Sequence, residues 1–516
     1  MSITQGLHRA VNFRSNQIAT IHNKRRQTWH ELAERVARVA GALSELGVQQ
    51  DDRVAILALN SDRYVEYFYA AAWAGAVCNP VNIRLSLPEI SHILIDSNSK
   101  ILFVDDTFAP LVNDIRETAT NIEEVIFIGD RDAPPFCLDY EGLIANCSPV
   151  EDARVSPEEM AGLFYTGGTT GKSKGVVLTH ANLTYNALNV IPALKYDEKS
   201  IYLHAGPMFH LADMASTFAV TMVGATHASI PRFQVTEALQ SISDIRVTHT
   251  LLVPTMINLL VSSGEISNYD TSSLKHMLYG ASPMPKSVLE DAMRQLPSVN
   301  FTQGYGQTEA SPLLTFLSSD DHKKGGDILK SAGRAAYGVE VKILDEEDKP
   351  LPNGQIGEIC ARGGNVMRAY WKLAKETERT LRNGWLHTGD LGYQNEDGYL
   401  FIVDRSKDMI ITGGENVFSV EVEGAIYRYP GVQECAVIGI PDSEWGEAVH
   451  AIVVPKEGIE INTEGLKQFC RNQIASYKVP RSVALRSEPL PISGAGKVLK
   501  QQLRKPYWEN TEKSIS

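Results

Sequence analysis

Tyr165-Thr166-Gly167-Gly168-Thr169-Thr170-Gly171-Lys172-Ser173-Lys174-Gly175 packs four glycines, two lysines and a run of hydroxyl side chains into eleven residues. A residue without Cβ reaches turn geometries closed to others, so backbone amides in such a stretch approach an anion closely. The threonines and Ser173 add hydroxyl donors, and the lysines add positive charge. This reads as a phosphate-handling loop. It departs from the P-loop template, because three residues and not four separate Gly167 from Gly171-Lys172, and that template also expects a strand before and a helix after. Nucleotide is indicated, but not on a Walker-type fold. A ligand-free surface turn has the same glycine and threonine content, so the remaining chain has to decide.

At 516 residues the chain exceeds one ordinary core, and two or more domains are expected. With 43% hydrophobic and 22% charged residues it can bury a sizeable core. The formal charge of −13 argues against a surface built to attract nucleic acid. An anionic small molecule must therefore meet locally placed lysines. Cys78, Cys137, Cys147, Cys360, Cys435 and Cys470 are scattered without C-x-x-C or metal-ligand spacing, which argues against a disulfide scaffold or zinc site and fits a reducing cytoplasm. The most apolar run, Tyr67 to Cys78, is shorter than the roughly 18 residues a membrane span needs. No signal segment, peroxisomal address or prenylation box is seen, so the expected protein is cytoplasmic, with no integral membrane association.

Outward from the loop, Thr28-x-x-Glu31 has capping-box spacing, with Leu32, Val36, Val39, Leu43 and Leu46 at helical intervals and Gly47 as the stop. Short apolar runs at Val54–Leu59, Ile101–Val104, Val125–Ile128, Ile201–Leu203, Thr248–Val253 and His276–Leu278 alternate with helix-length segments. That alternation predicts a mostly parallel α/β sheet. Val339–Leu344 and Gly357–Ala361 change to short strands among glycines and prolines, predicting a small antiparallel or barrel-like subdomain. Beyond Asp404, a helix over Val422–Tyr427, strands over Cys435–Ile440 and Ala448–Val454 and a helix over Leu466–Ala475 predict a small α+β domain. The fold class is α/β: residues 1–403 form a large N-terminal domain of two α/β sheets plus the small β subdomain, and residues 404–516 a small C-terminal domain.

Five further motifs join the opening loop: Gly304-Tyr305-Gly306-Gln307-Thr308-Glu309, His387-Thr388-Gly389-Asp390-Leu391, Asp404-Arg405-Ser406-Lys407-Asp408, Gly413-Gly414-Glu415-Asn416 and Gly494-Ala495-Gly496-Lys497. In this order and spacing the whole chain resembles the AMP-forming acyl-CoA synthetases of the adenylate-forming superfamily. The resemblance implies a mobile C-terminal lid hinged near Asp404 and the use of ATP, Mg²⁺ and coenzyme A. A carboxylate that attacks the α-phosphate of ATP is an anion approaching an anion, so the site must neutralise charge. The resemblance assigns Thr166, Gly167, Gly168, Thr169, Thr170 and Lys174 to the phosphates, with Glu309 and Thr166 at Mg²⁺, an ion that favours hard oxygen ligands. It places Gly280, Ala281, Ser282, Gly304, Tyr305, Gly306, Gln307 and Thr308 around the nucleotide and acyl pocket. Tyr305 offers a flat face to adenine, Asp390 and Arg405 are ribose contacts, and Ile402 lies beside them. Lys497 and Glu309 are the catalytic residues of adenylation, with Lys497 a flexible point charge on a glycine-rich loop. For thioester formation the resemblance brings Gly413, Gly414 and Glu415 to a pantetheine channel. Lys478 is either a contact to the anionic end of the coenzyme or a solvated helix-end lysine.

His210, in Pro207-Met208-Phe209-His210, resembles a residue beside the acyl carbonyl and joins the catalytic set, although a core histidine fits equally. Tyr279 to Pro283, Thr302 and Gln303 would bound the acyl pocket. Ser173 stands where the loop often has proline. Asp213 either faces the acyl pocket, disfavouring a long alkyl chain or pairing with a polar group on the acid, or faces outward. The resemblance implies ligation of a medium-chain fatty acid or an aryl or arylalkenyl acid to coenzyme A; a homodimer is compatible with it. An adenylation enzyme loading a carrier protein, a luciferase-like oxygenase and a non-catalytic nucleotide-binding regulator are the rival readings.

Overall fold

The computed structural model describes residues 1–166, 173–405, 408–412, 415–442, 445–493 and 497–508. It divides into two compact units, residues 1–340 with 361–386 and residues 341–360 with 387–516. The position Asp404, at which the sequence reading draws its boundary, lies inside the second unit. The small β subdomain groups largely with the C-terminal residues; its strands Leu386–Gln394 and Leu400–Arg405 run antiparallel, with Asp390 opposite Arg405.

The first unit holds two sheets. In the larger, Ile18–His22, Thr226–Ser229, Ile201–His204, His249–Leu251, His276–Gly280 and Asn300–Gly306 lie parallel in that spatial order. The antiparallel strand Leu313–Leu317 follows Asn300–Gly306. The other sheet has Val77–Pro80, Arg53–Leu57, Ser99–Val104 and Glu124–Phe127 in parallel. The apolar runs named from the sequence become these strands with ends shifted by one or two residues, as hydrogen bonding and not hydropathy sets each boundary.

Helices fill the layers. The capping box forms: Glu31 N donates to Thr28 Oγ1 at 3.2 Å and Thr28 N donates to Glu31 Oε2 at 2.7 Å, opening helix Trp29–Glu45. Gly47 then takes φ +84°, a left-handed geometry suited to glycine. Helix Asp62–Trp73 is buried along its whole length, so its charges need partners. Asp62 accepts two hydrogen bonds from Arg25, and Glu66 accepts from Gln27, Arg35 and Tyr140. One core joins Trp29, Tyr64, Phe68 and Phe218. No described helix is long and apolar enough to cross a membrane.

Strands Val339–Leu344, Gly357–Gly363, Leu386–Gln394 and Leu400–Arg405, most of whose residues lie in the second unit, form a four-stranded sheet in that order. A further sheet pairs Val432–Asp442 with Gly446–Pro455 along their full lengths, flanked by helices Ser419–Ile426, Thr463–Arg471 and Lys500–Trp508. The helix expected over Leu466–Ala475 starts earlier, at Thr463, because Asn462 caps it by accepting from Gly465 N at 3.0 Å.

The glycines at 304 and 306 serve the crossing of strands. A Cβ on Gly306 would lie 1.9 Å from the carbonyl oxygen of Pro312, backbone that cannot swing away. Gly306→Ala is expected to lower stability by about 1–3 kcal/mol, the cost of overpacking, and to displace the adjoining turn Thr308–Ala310. Thermal unfolding of the variant at the wild-type temperature would show that this crossing has room for a methyl group.

Candidate active site

The glycine-rich stretch closes an antiparallel hairpin. Met160–Thr166 pairs with Lys174–Thr179, Tyr165 opposite Gly175 and Thr166 opposite Lys174. A strand follows the loop where a P-loop has a helix, so the topology departs from the Walker template as the spacing implied. Gly167, Gly168, Thr169, Thr170, Gly171 and Lys172 lie outside the described residues; the feet of the hairpin are described. The far edge of Lys174–Thr179 pairs with Ala369–Tyr370, Tyr370 opposite Val176. Just beyond, Trp371 N donates to Gly175 O at 2.7 Å. A Cβ on Gly175 would sit 2.9 Å from Leu163 Cδ1 and 3.2 Å from Trp371 Cβ, a tight fit that glycine avoids. Below the hairpin, Tyr165 Oη donates to Asp96 Oδ2 at 2.6 Å, and Trp371 Nε1 donates to Asp96 O at 3.0 Å.

This edge pairing brings charge to the feet of the hairpin. Tyr370 Oη donates to Glu309 Oε1 at 2.7 Å, and Met367 N donates to Glu309 O at 2.8 Å. Lys174 Nζ lies 5.3 Å from the Tyr370 ring centroid and 3.2 Å from Glu376 Oε2. Burial, then the neighbouring Glu309, pushes the Tyr370 phenol far above its ordinary range, so it stays a donor. Asn365, fully buried, pins the turn that carries Glu309 by donating to Ala310 O at 2.8 Å and Leu313 O at 2.9 Å. Thr166, Lys174 and Glu309 are thus placed at one hairpin foot or its neighbouring turn. Their hydroxyl and carboxylate oxygens are the hard donors that Mg²⁺ takes. Tyr370, Glu376, Asp96 and Asn365 are missing from the sequence reading. Ala369–Tyr370 is a two-residue strand, too short for any period-2 signal.

Tyr305 sits on Asn300–Gly306, opposite Thr315, with Gln307 and Thr308 leading into the Glu309 turn. Gly280 and Gly304 are cross-strand partners. A Cβ on Gly280 would lie 2.1 Å from Gly304 O, so the close approach of the neighbouring strand requires a glycine there. Ala281 and Ser282 follow at the end of the strand, Ala281 at φ +67°. Tyr279 donates its phenol to His322 Nε2 at 2.8 Å, since His322 Nδ1 faces Ser318 O at 2.7 Å. Thr302 is buried.

On the expected acyl side, His210 is the N-cap of helix Leu211–Val223. Its Nδ1 accepts from Ala212 N at 3.1 Å, which leaves the neutral ring's proton on Nε2. Asn60 staples the segment before it, donating to His204 O at 3.2 Å and Gly206 O at 2.7 Å while accepting from Met208 N at 2.8 Å. Asp213 is fully buried and bound to the sheet: Oδ1 accepts from Tyr202 Oη at 2.8 Å, and Oδ2 lies 2.5 Å from His204 Nδ1. His204 Nε2 is in turn 3.0 Å from His227 Nδ1. Burial, then the adjacent His204, holds His227 well below the ordinary histidine range, hence neutral. The alternative in which Asp213 repels an alkyl chain from the acyl pocket is set aside, because its carboxylate is consumed inside the core.

In the second unit, Asp390 and Arg405 come together across their strands, Arg405 Nε 3.4 Å from Asp390 Oδ1, with Ile402 on the same strand as Arg405. Thr388 Oγ1 accepts from Asp390 N at 3.1 Å and donates to Ile359 O at 2.6 Å. His387 Nδ1 lies 2.8 Å from Glu358 Oε2 and 3.3 Å from Cys360 Sγ, a tether between neighbouring strands. Asp404 is buried; its carboxylate accepts from Arg405 N at 2.8 Å and from the N and Oγ of Ser419. Lys478 Nζ meets both oxygens of Glu421 at 2.8 Å. Glu415 is exposed on strand Glu415–Val417. Gly413, Gly414, Ser406, Lys407, Gly494, Ala495 and Gly496 lie outside the described residues. Lys497 sits on a turn closed by Ser493 N donating to Lys497 O at 2.7 Å and by a bridge between Ile492 and Val498.

Residues 7–371 match the family described as AMP-binding enzyme, and residues 421–497 match the AMP-binding enzyme C-terminal domain. The chain is 38% identical to a feruloyl-CoA synthase of Amycolatopsis sp over 95% of this chain and 96% of that one. It is 34% identical to a fatty acid–[acyl-carrier-protein] ligase of Streptomyces coeruleorubidus over 96% and 95%. Its fold superimposes with a TM-score of 0.85 and 30% identity on the o-succinylbenzoate CoA synthetase of Bacillus subtilis, solved with its acyl-adenylate intermediate, over 96% and 97% of the two chains. With both family regions matched and relatives above 30% identity along nearly the whole length, the chain belongs to the AMP-binding enzyme family of acid–thiol ligases.

Proposed function

We propose that this enzyme joins an aryl or arylalkenyl acid, or a medium-chain fatty acid, to coenzyme A, forming acyl-CoA, AMP and pyrophosphate through an acyl adenylate. The observation that carries the reading is the cluster of Lys174, Tyr370 and Glu309 at the foot of the glycine-rich hairpin. It supplies a cation, a phenolic donor and a carboxylate where a triphosphate loop needs them. Resemblance to the feruloyl-CoA synthase favours an arylalkenyl acid; resemblance to the carrier-protein ligase keeps a carrier thiol as the second reading. Scattered cysteines without paired spacing support a reducing, cytoplasmic setting in this reading.

Thr166 and Lys174 hold the phosphates in this reading, and Glu309 with Thr166 would hold Mg²⁺, which when bound neutralises phosphate charge. Asp390, braced by Arg405 at 3.4 Å, accepts from the ribose hydroxyls. Tyr305 faces adenine, and His210 positions the acid. One acid oxygen attacks the α-phosphorus as pyrophosphate leaves, and Lys497 stabilises the charge that develops there. The thiol then attacks the acyl carbon and AMP departs with the bridging oxygen. Rotation about the backbone of Asp404 separates the two half-reactions, withdrawing Lys497 and bringing Gly413, Gly414 and Glu415 forward, with Lys478 toward the coenzyme.

The direct test assays AMP formation from ferulate, cinnamate, benzoate, octanoate and decanoate with and without coenzyme A. Turnover is expected with at least one acid and only when the thiol is present. Silence with every acid would favour a nucleotide-binding regulator. Lys497→Ala should cut acid-dependent pyrophosphate release by about 10²–10³-fold, the usual worth of one transition-state charge donor, while sparing thioester formation from supplied acyl adenylate. Equal loss of both steps contradicts its role.

The hinge needs a paired comparison, because Asp404 also caps helix Ser419–Ile426 through its carboxylate. Asp404→Ala removes that cap alone, whereas Asp404→Pro also fixes φ near −65°. Thioester formation is expected to be slower in the proline variant than in the alanine variant, with adenylation similar in both. Matching thioester rates would refute the hinge.

A further inference from the structure

Within the second unit, the turn that carries Lys497 is tied to the side chain of Asp404 through one lysine. Lys500 follows Lys497 by three residues and opens helix Lys500–Trp508. Its Nζ donates to Ser419 Oγ at 2.6 Å and meets Glu423 Oε1 at 2.7 Å. Ser419 Oγ passes its own proton to Asp404 Oδ1 at 3.0 Å. Glu423 Oε1 also accepts from Val437 N at 2.8 Å, which seats the helix on strand Val432–Asp442. The Lys500 and Glu423 side chains are each 13% exposed, so the ammonium is committed to the network and not to water. Burial works against its charge, yet Glu423 and then Asp404 hold its pKa above the ordinary lysine range. Burial raises the carboxyls of Asp404 and Glu423, and Lys500 is the first group that opposes this in both. Asp408 adds to the same upward effect on Lys500.

The backbone from Lys497 to Lys500 has little slack. Leu499 N donates to Pro491 O at 2.8 Å, and Ile492 bridges Val498, so both strands of the turn are fixed on the C-terminal side of Lys497. A lysine that must meet a developing charge needs its own main chain held still, since a displacement near 1 Å costs about 10²-fold in rate. The side chain of Lys497 is long and flexible; what can be fixed is its base.

We infer that Lys500 is a positioning residue for adenylation, holding the Lys497 turn in register with the hinge carboxylate of Asp404 so that the two move as one body. The inference rests on the adenylating role proposed for Lys497. It assigns no contact with substrate to Lys500. The link is ionic, so a second cation of similar reach should restore it and an uncharged isostere should not.

The test compares Lys500→Met and Lys500→Arg in the full-length enzyme, with the acid of the panel that turns over best and its supplied acyl adenylate. Lys500→Met is expected to lower kcat for acid-dependent pyrophosphate release by about 10–100-fold, leaving KM for ATP and acid within threefold and thioester formation from the adenylate within threefold. Lys500→Arg should recover most of the lost rate. If Lys500→Met leaves a buried carboxylate uncompensated and does not fold, the double variant Lys500→Met, Glu423→Gln removes both charges, and the same split between half-reactions is expected of it. Equal loss in both half-reactions, no loss in either, or no rescue by arginine overturns the inference. Lys497→Ala in the same assay separates the two levels: an active Lys497→Ala enzyme removes the underlying reading, whereas an inactive one beside a normal Lys500→Met enzyme removes only the tie.

Discussion

The strand Lys174–Thr179 is hydrogen-bonded on both edges, to Met160–Thr166 on one side and to Ala369–Tyr370 on the other. That double pairing is the constraint from which the arrangement around the glycine-rich hairpin follows. A glycine-rich loop is entropically costly to order, so its worth as an anion site depends on how firmly its ends are held. Here one end is locked by the inner pairing. The outer pairing imports a tyrosine from two hundred residues downstream, and Tyr370 in turn fixes the carboxylate of Glu309 at 2.7 Å.

The same economy recurs at the other motifs: each motif segment is held by a polar side chain from elsewhere in the chain. Asn365 holds the Glu309 turn, Asn60 holds the segment before His210, and Ser419 with Lys500 holds Asp404. Buried polar groups of this kind stabilise little on balance, but they specify geometry, because any other arrangement leaves them unsatisfied. An enzyme that brings a carboxylate against a triphosphate needs that specification, since electrostatic stabilisation acts only when its dipoles are already aimed.

Much of this was legible in the residues. The capping box at Thr28, the alternating apolar runs and the change of pattern after Val339 all lie in the local period of the chain, and the structure follows them. Loop spacing alone excluded a P-loop, and the hairpin topology bears that out. What escaped was long-range pairing. Nothing near Tyr370 or Glu376 marks them as neighbours of Lys174, because a two-residue strand has no period and the contact spans two hundred residues. Asp213 shows the opposite error: a carboxylate next to a substrate motif looks functional, yet it is spent on Tyr202 and His204 in the core. Gly280 and Gly306 also answer to neighbouring strands, which no local pattern marks: a Cβ on either would strike backbone, Gly304 O or Pro312 O.

The chemical claim beneath the whole account is that the acid oxygen becomes bonded to the α-phosphorus. The most direct measurement uses an accepted acid labelled with ¹⁸O in both carboxylate positions, ATP and coenzyme A, with mass analysis of the products. Attack on the α-phosphate followed by thiol attack on the acyl carbon leaves one labelled oxygen in AMP and none in pyrophosphate. Label in inorganic phosphate or pyrophosphate, or unlabelled AMP alongside acyl-CoA, would contradict it.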